Sequence, residues 1–201
     1  MNDVHITYDA ERPEDDPVIE AINAEAFGPG RFTRAAHRIR EDGPHDPRLS
    51  FVARADGEIV GSVRQTWIAI GKARAVLLGP LAVRPAWKNR GIGRRLVRIA
   101  LDAARQEGAS MVLLVGDAPY YVPLGFRVLN RPEVVMPWPV NPARLLVAPF
   151  DEAALDGLAG TVRHAATGPA GLASGSRDTT STPAPAAGSP VPENRRRAAG
   201  G

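Results

Sequence analysis

The residues with the most chemical content stand together in one stretch, Lys88-Asn89-Arg90-Gly91-Ile92-Gly93, followed by Arg94. Positive charges and glycines meet where an amphipathic pattern begins. A helix N-terminus leaves backbone N–H groups unpaired and carries a partial positive charge. Glycine lets a ligand approach the backbone, and the basic side chains add full charges. The combination suits a phosphate group. The glycine pair also has rival readings. A dinucleotide fingerprint needs a third glycine where this chain has Leu96, and a P-loop ends in Gly-Lys-Ser/Thr where it has Arg94-Arg95. A tight turn into a helix with a solvated basic face would also account for the glycines alone.

The elements that must position this turn follow from periodicity. Val4–Tyr8 alternates and predicts a strand. Asp16 is placed as an N-cap, with Pro17 opening a helix whose Val18, Ile19, Ile22 and Ala26 share one face. A second short helix is expected to stop at Gly43. Asp56-Gly57 joins two β-rich runs into a hairpin. Gly71-Lys72 turns into an apolar strand, Ala75–Val83, interrupted by Gly79-Pro80. Proline donates no ladder hydrogen bond, so a bulge is expected there, an ordinary kink in an edge strand being the other reading. Leu96, Ile99, Ala100 and Ala103 form the apolar stripe of a helix over Gly93–Glu107, stopped by Gly108. Ser110–Gly116 is a continuous apolar strand of the kind buried in parallel sheets. A short turn or helix, another strand, and a late strand over Ala143–Phe150 follow. Strand, helix and strand around the basic turn make a βαβ unit after a hairpin-linked meander. The sheet is therefore part antiparallel and part parallel.

The 201-residue chain is long enough for one domain with a real core, and 44% of it is hydrophobic. It has no cysteine, which removes disulfides, thiolate metal sites and a thiol nucleophile and makes a cytoplasmic setting the expectation. The acidic first residues do not read as a signal peptide, and the longest apolar run is too short to span a bilayer. Residues 165–201 carry Arg177, Arg195, Arg196 and Arg197 against Asp178 and Glu193, so they hold two of the three net positive charges. The remainder, residues 1–164, is close to neutral, which argues against a nucleic-acid binder. From Ala165 the composition is mostly Ala, Gly, Pro, Ser and Thr, and a disordered tail is expected behind a domain over 1–164.

With these residues in view, the chain resembles the GNAT N-acetyltransferase superfamily, in one bacterial branch of predicted acetyltransferases. The family pattern Gln/Arg-x-x-Gly-x-Gly/Ala appears as Lys88–Gly93, with Lys88 in place of the usual Gln or Arg. An aromatic-Tyr-x-x-x-Gly-Phe block appears as Tyr120-Tyr121-Val122-Pro123-Leu124-Gly125-Phe126. The resemblance is strong over residues 75–130. It implies an α/β fold of mixed α+β type: a central, mostly antiparallel sheet with a splayed parallel strand pair and helices on both faces. It implies acetyl-CoA as co-substrate, with no metal. The pyrophosphate would sit on the turn Lys88, Asn89, Arg90, Gly91, Ile92, Gly93 and Arg94, and the pantetheine arm would pair with backbone at Leu81, Ala82 and Val83. The Gly116-Asp117-Ala118-Pro119 connection is shorter than in many relatives, which carry an Asn one turn ahead of the tyrosine block.

Acetyl transfer to an amine needs an amine stripped of its proton and a way to release the thiolate. A phenol with pKa near 10 is protonated at neutral pH and well matched to a thiolate leaving group. Tyr121 holds the family position for this general acid, and Tyr120 reads as core. Asp117 and Glu25 are candidates for the base, and an ordered water chain serves equally well. His5, His37, His45 and His164 lack metal-ligand spacing and read as surface or structural. Without cysteine, direct transfer in a ternary complex is expected. The acceptor is an amine, small molecule or protein, with specificity set by Glu25 to Arg40 and by loops after the sheet. Neither a membrane nor a nucleic acid is an expected partner, and a homodimer is left open. A non-catalytic acyl-CoA-binding module, which would keep the Gly91/Gly93 turn and make no use of Tyr121, is the alternative function.

Overall fold

The computed structural model describes residues 4–33 and 35–167. Strand β1 (Ile6–Ala10) leads into helix α1 (Asp16–Phe27) and the short helix α2 (Ala35–Glu41). Strands β2 (Phe51–Ala55), β3 (Glu58–Ile70) and β4 (Ala73–Val83) form the meander, and helix α3 (Ile92–Gln106) crosses to β5 (Met111–Val115). A one-turn helix α4 (Ala118–Tyr121), the two-residue strands β6 (Arg127–Val128) and β7 (Val134–Val135), then β8 (Leu145–Pro149) and β9 (Gly160–His164) complete the order. The sheet runs β1-β2-β3-β4-β5-β8-β6, with β9 pairing to β3 and β7. Only β4–β5 and the brief β7–β9 pairing are parallel. The mixed, mostly antiparallel sheet read from the sequence is the sheet observed.

Alternation along the central strands assigns the layers. Val76 and Leu78 of β4, with Val112 and Leu114 of β5, meet Leu96, Val97 and Ala100 of α3. Ala75, Leu77, Met111 and Leu113 face the other way, where Ile39 of α2 packs among them. Ile19 and Ile22 of α1 bury against Val52, Ile59 and Ala82. Helices thus cover both faces. Gln65 ties α3 to the sheet, its buried amide nitrogen donating to the carbonyls of Leu49 (2.9 Å) and Ala100 (2.8 Å).

Several boundaries differ from expectation for identifiable reasons. The first strand starts at Ile6 and runs to Ala10, because all five of its residues register with Phe51–Ala55. Asp15, not Asp16, stands at the N-cap position of α1, without a side-chain cap bond, and the Asp16 carboxylate accepts from Arg64 at 2.6 Å. The buried stripe of α3 is Leu96, Val97, Ala100 and Ala104, so it is rotated from the expected one. Ile99 and Ala103 are only half-buried. The strands β7 and β9 were not expected from sequence. His164 closes β9 as a buried structural histidine, receiving the Ala166 N–H at Nδ1 and bonding through Nε2 to the Pro44 carbonyl. A 3-10 turn over Ala165–Thr167 follows, so the described chain runs slightly past the expected domain end. The remainder of the expected tail lies outside the described residues. No helix among the described residues is long and apolar enough to cross a membrane.

Candidate active site

The bulge in β4 organises the site. Val63 registers with Leu81 and Gln65 with Leu78, so Arg64 alone faces two residues, Gly79 and Pro80. One extra residue on a strand bends it and leaves local backbone unpaired. Pro80 fits there because it has no N–H to lose, and Gly79 adopts φ +143°, a value that suits glycine. On its other edge β4 registers with β5 only at Val76–Val112 and Leu77–Leu113. From Leu78 onward the two strands part. A cavity of about 1010 Å³ lies between and beyond them, with Leu78–Leu81 and Val83 on one side and Val115, Gly116 and Asp117 on the other.

The cavity continues to the start of α3, where Lys88, Asn89, Gly91, Ile92, Gly93 and Arg94 line it. Asn89 (φ +62°) and Gly91 (φ +79°) both take left-handed backbone, which aims the turn into the helix. The first intrahelical bond runs from Arg95 N to the Gly91 carbonyl (3.0 Å). The amides of Ile92, Gly93 and Arg94 come before it, so the helix geometry gives them no carbonyl partner. The turn thus offers backbone donors, a helix dipole and two cations, Lys88 and Arg94, to whatever occupies this end.

Two members of the expected binding set point elsewhere. Ala82 is buried in the α1 layer. Arg90 stacks over the Trp87 ring at 4.7 Å and is not in the cavity wall.

The tyrosines close the wall opposite β4. Tyr120 and Tyr121 meet edge to face with centroids 4.8 Å apart, and Tyr121 meets Phe126 at 5.7 Å. The Tyr121 ring lies so close to Gly116 that a Cβ there would stand 2.5 Å from it. Gly116 therefore gives Tyr121 its place. Tyr120 is not a core residue. It is half-buried, lines the cavity, and carries the Arg94 guanidinium 6.0 Å above its ring. Burial pushes its phenol above the ordinary value, and the Arg94 charge opposes the shift.

The two expected bases separate. Asp117 is in the cavity wall, exposed, and ion-paired with Arg144 at 3.2 Å. Glu25 is outside the wall and pairs with Arg84 at 3.0 Å.

At the far end Glu20, Asn23 and Phe27 of α1, His37 and Arg40 of α2, and Trp138–Asn141 from the loop before β8 complete the enclosure. His37 and Arg40 fall inside the segment expected to set specificity. Glu20 and Asn23 were missed, although a polar Asn23 in the buried stripe beside Ile19 and Ile22 is a signal that could have found them. Among the described residues no group of three His, Cys, Asp or Glu side chains could hold a metal ion.

A backbone anion site at a helix start, a splayed parallel pair and a phenol share one cavity. The family model of the acetyltransferase (GNAT) family matches residues 17–126, more than half of the chain. The chain belongs to this family. It is a GNAT acetyltransferase. It is 29% identical over 157 residues to the uncharacterized N-acetyltransferase YhbS of Escherichia coli K12, covering 77% of this chain and 93% of YhbS. It is 32% identical over 126 residues to YjhQ of the same organism, covering 61% of this chain and 70% of YjhQ. The crystal structure of YhbS in complex with CoA matches this acetyltransferase with a TM-score of 0.70 at 26% identity, over 82% of this chain and 92% of that one. A GNAT acetyltransferase from Brucella melitensis, in complex with acetyl-CoA, matches with a TM-score of 0.56 at 28% identity, over 73% and 89%.

Proposed function

We propose that this acetyltransferase moves the acetyl group of acetyl-CoA to a primary amine by direct transfer in a ternary complex. The single observation that carries the reading is the continuity of one cavity from the α3 turn, through the gap between β4 and β5, to Tyr121. The residues fit the co-substrate on structural grounds. The amides of Ile92, Gly93 and Arg94 suit the pyrophosphate, with Lys88 and Arg94 adding charge. The unpaired edge of β4 from Leu78 to Val83 suits an arm that hydrogen-bonds like a strand. That YhbS and the Brucella protein were crystallised with CoA and acetyl-CoA supports the same assignment.

In the reaction the amine nitrogen forms its bond to the acetyl carbon as the carbon–sulfur bond breaks. Tyr121 hands its phenolic proton to the departing sulfur. An amine with pKa near 10.4 is mostly protonated at neutral pH, so a proton must first leave the nitrogen. Asp117, in the cavity wall, or a water held there can receive it. The placement of Glu25 outside the wall and against Arg84 favours these two over Glu25. With no cysteine in the chain, no thiol is present to take the acetyl group in a first step.

The test is calorimetry with CoA and acetyl-CoA, followed by mass spectrometry of a panel of amines incubated with enzyme and acetyl-CoA. Saturable CoA binding together with a product 42 Da heavier than one amine is the expected result, the mass increment being that of an acetyl group replacing hydrogen. CoA binding with no acetylated product from any amine would leave only the binding-module function.

A further inference from the structure

We propose that Arg40 selects the acceptor: the amine this enzyme acetylates carries a carboxylate a carbon or two from its nitrogen, as an amino acid does, and the carboxylate docks on the Arg40 guanidinium. The inference rests on the acetyltransferase reading above and adds the chemical class of the acceptor.

Arg40 stands on α2, half-buried in the cavity wall. Its Nη1 donates to the Gly79 carbonyl at 3.0 Å. No carboxylate among the described residues lies within ion-pair distance of it, although fourteen such pairs form elsewhere, from Arg12–Glu14 to Arg144–Asp117. The acidic groups near it pair directly with a different cation, fully for Glu11 and through one oxygen for Glu20. Glu11 gives both oxygens to Arg64 at 2.7–3.1 Å, and Glu20 gives Oε1 to Arg64 at 2.7 Å. Removal from water is the main reason the Arg40 pKa falls to about 10; the Arg64 charge adds to the fall, and the Glu20 and Glu11 charges oppose it without cancelling it. A cation drawn out of water with no carboxylate in direct contact gains from an anion docking on it.

A guanidinium has five N–H donors in a planar fork that matches a carboxylate. One of its nitrogens serves Gly79, none of the others is buried without a partner, and the residue lines the cavity. The bond to Gly79 also fixes where that fork is. Gly79 is a bulge residue at the point where β4 leaves β5, in the gap that the arm carrying the thioester is proposed to follow. An anion on Arg40 therefore lies close to the reacting nitrogen, and an amino acid spans that gap where a long polyamine or a lysine side chain does not supply the charge. Phe27, Trp138 and Val140 give the same cavity an apolar wall for the rest of the acceptor.

The experiment compares each amino acid with its decarboxylated amine, L-phenylalanine with phenethylamine and L-leucine with isoamylamine, in the wild-type enzyme and in Arg40→Gln and Arg40→Lys. The readout is the ratio of kcat/KM within each pair, which cancels any general loss of activity. The wild type should favour the amino acid by roughly 10²-fold or more, the scale on which a buried charge pair discriminates. Arg40→Gln should bring the ratio near one, and Arg40→Lys should keep part of it, having the charge without the fork. A ratio unchanged in Arg40→Gln, a wild type that prefers the decarboxylated amine, or a preference for the aminophosphonate analogue overturns the assignment. Calorimetry of L-phenylalanine with the CoA-loaded protein needs no turnover, and absence of binding there overturns it too. Neutral amines acetylated without regard to Arg40 would sink this inference and leave the acetyltransferase reading intact, whereas a protein that binds no CoA fails at the earlier step.

Discussion

The Tyr120 hydroxyl occupies the space that a side chain on Gly93 would need: an ideal Cβ there stands 2.5 Å from the phenolic oxygen. The other neighbours of that Cβ, on Val83 and Leu81, are at 3.6 and 3.8 Å, ordinary contacts. Gly93 is otherwise a helical residue with no positive φ. Gly93→Ala alone should destabilise the fold by about 1–3 kcal/mol through overpacking. In a Tyr120→Phe background the clash is gone, and the gain in helix propensity, about 1 kcal/mol, should make the same change neutral or stabilising. Urea midpoints of the four proteins decide this. If Gly93→Ala has the same effect in both backgrounds, the two groups are not in contact.

Gly91 is different, because nothing lies within 4 Å of its Cβ but its φ is +79°. Gly91→Ala measures the backbone strain by itself, on the order of 1 kcal/mol. Gly91→Glu adds bulk and a negative charge where pyrophosphate is proposed to bind. Its CoA affinity, by calorimetry, should fall at least tenfold below that of Gly91→Ala. Equal affinities in two folded variants would remove the turn from the binding site.

Tyr121→Phe keeps a ring that packs edge to face with Tyr120 and Phe126. Fold and CoA affinity should be nearly unchanged. Loss of a proton donor to the leaving sulfur should lower kcat by roughly 10²–10⁴-fold. A fall of less than about fivefold, with chemistry rate-limiting, would assign Tyr121 a packing role.

Glu11 supplies a pH dependence. Burial by itself would raise its pKa, but the hydrogen bonds from His45 and Arg64 more than offset this, and the value lies below the ordinary 4.5. A carboxylate lowered on folding contributes stability that is complete above its unfolded pKa and is lost as pH falls through the folded value. Glu11→Gln should cost about 3 kcal/mol at pH 7, since Arg64 is left buried with less charge around it. The variant's stability should then decline less steeply below pH 4.5 than the wild type's. Parallel acid limbs in denaturant titrations would show that Glu11 is not the group responsible.

Residues after Thr167 should be dispensable for folding and for CoA binding, given their Ala/Gly/Pro/Ser/Thr composition. A chain ending at Thr167 keeps the β9 pairing of Val162, Arg163 and His164 with β3. Its melting temperature should match that of the full chain within a degree or two, and a loss of many degrees would mean that the tail packs on the domain.

What could be read from sequence was written in local chemistry. Asp56 and Gly57 both take positive φ, 47° and 91°, as the hairpin signal requires. Gly79-Pro80 announced the bulge because proline has few other uses in a long apolar strand. The basic turn showed itself through glycines at a helix start. What stayed hidden depends on partners far away in the chain. The strand β9 exists because Val162–His164 find Ile68–Ile70, more than ninety residues earlier. On α2, Arg38 and Arg40 look alike in sequence. Arg38 pairs with Glu41 at 3.3 Å, while Arg40 turns inward to the Gly79 carbonyl, and only the tertiary position of the bulge separates them. On α3, Leu96 and Ala100 are buried as read, while Val97 and Ala104 take the places expected of Ile99 and Ala103, because the face a helix buries is set by the sheet it lands on.

The two registered pairs between β4 and β5 have a consequence for the protein without ligand. Beyond Leu77 β4 and β5 have no registered partner across the gap, in the middle of a sheet where β4 stays paired to β3 on either side of the bulge and β5 stays paired to β8. An arm that bonds like a strand would fill that gap, and on the proposed reading the co-substrate would act as a removable piece of the sheet. Amide hydrogens along Leu78–Val83 and at Val115 should then exchange quickly in the empty protein and slowly once it is loaded. By mass action, a ligand at a hundred times its Kd adds about 2.7 kcal/mol to the stability of the whole fold. On that reading the abundance of the enzyme would follow the supply of acyl-CoA, because a ligand that stabilises the fold lowers the fraction exposed to proteases.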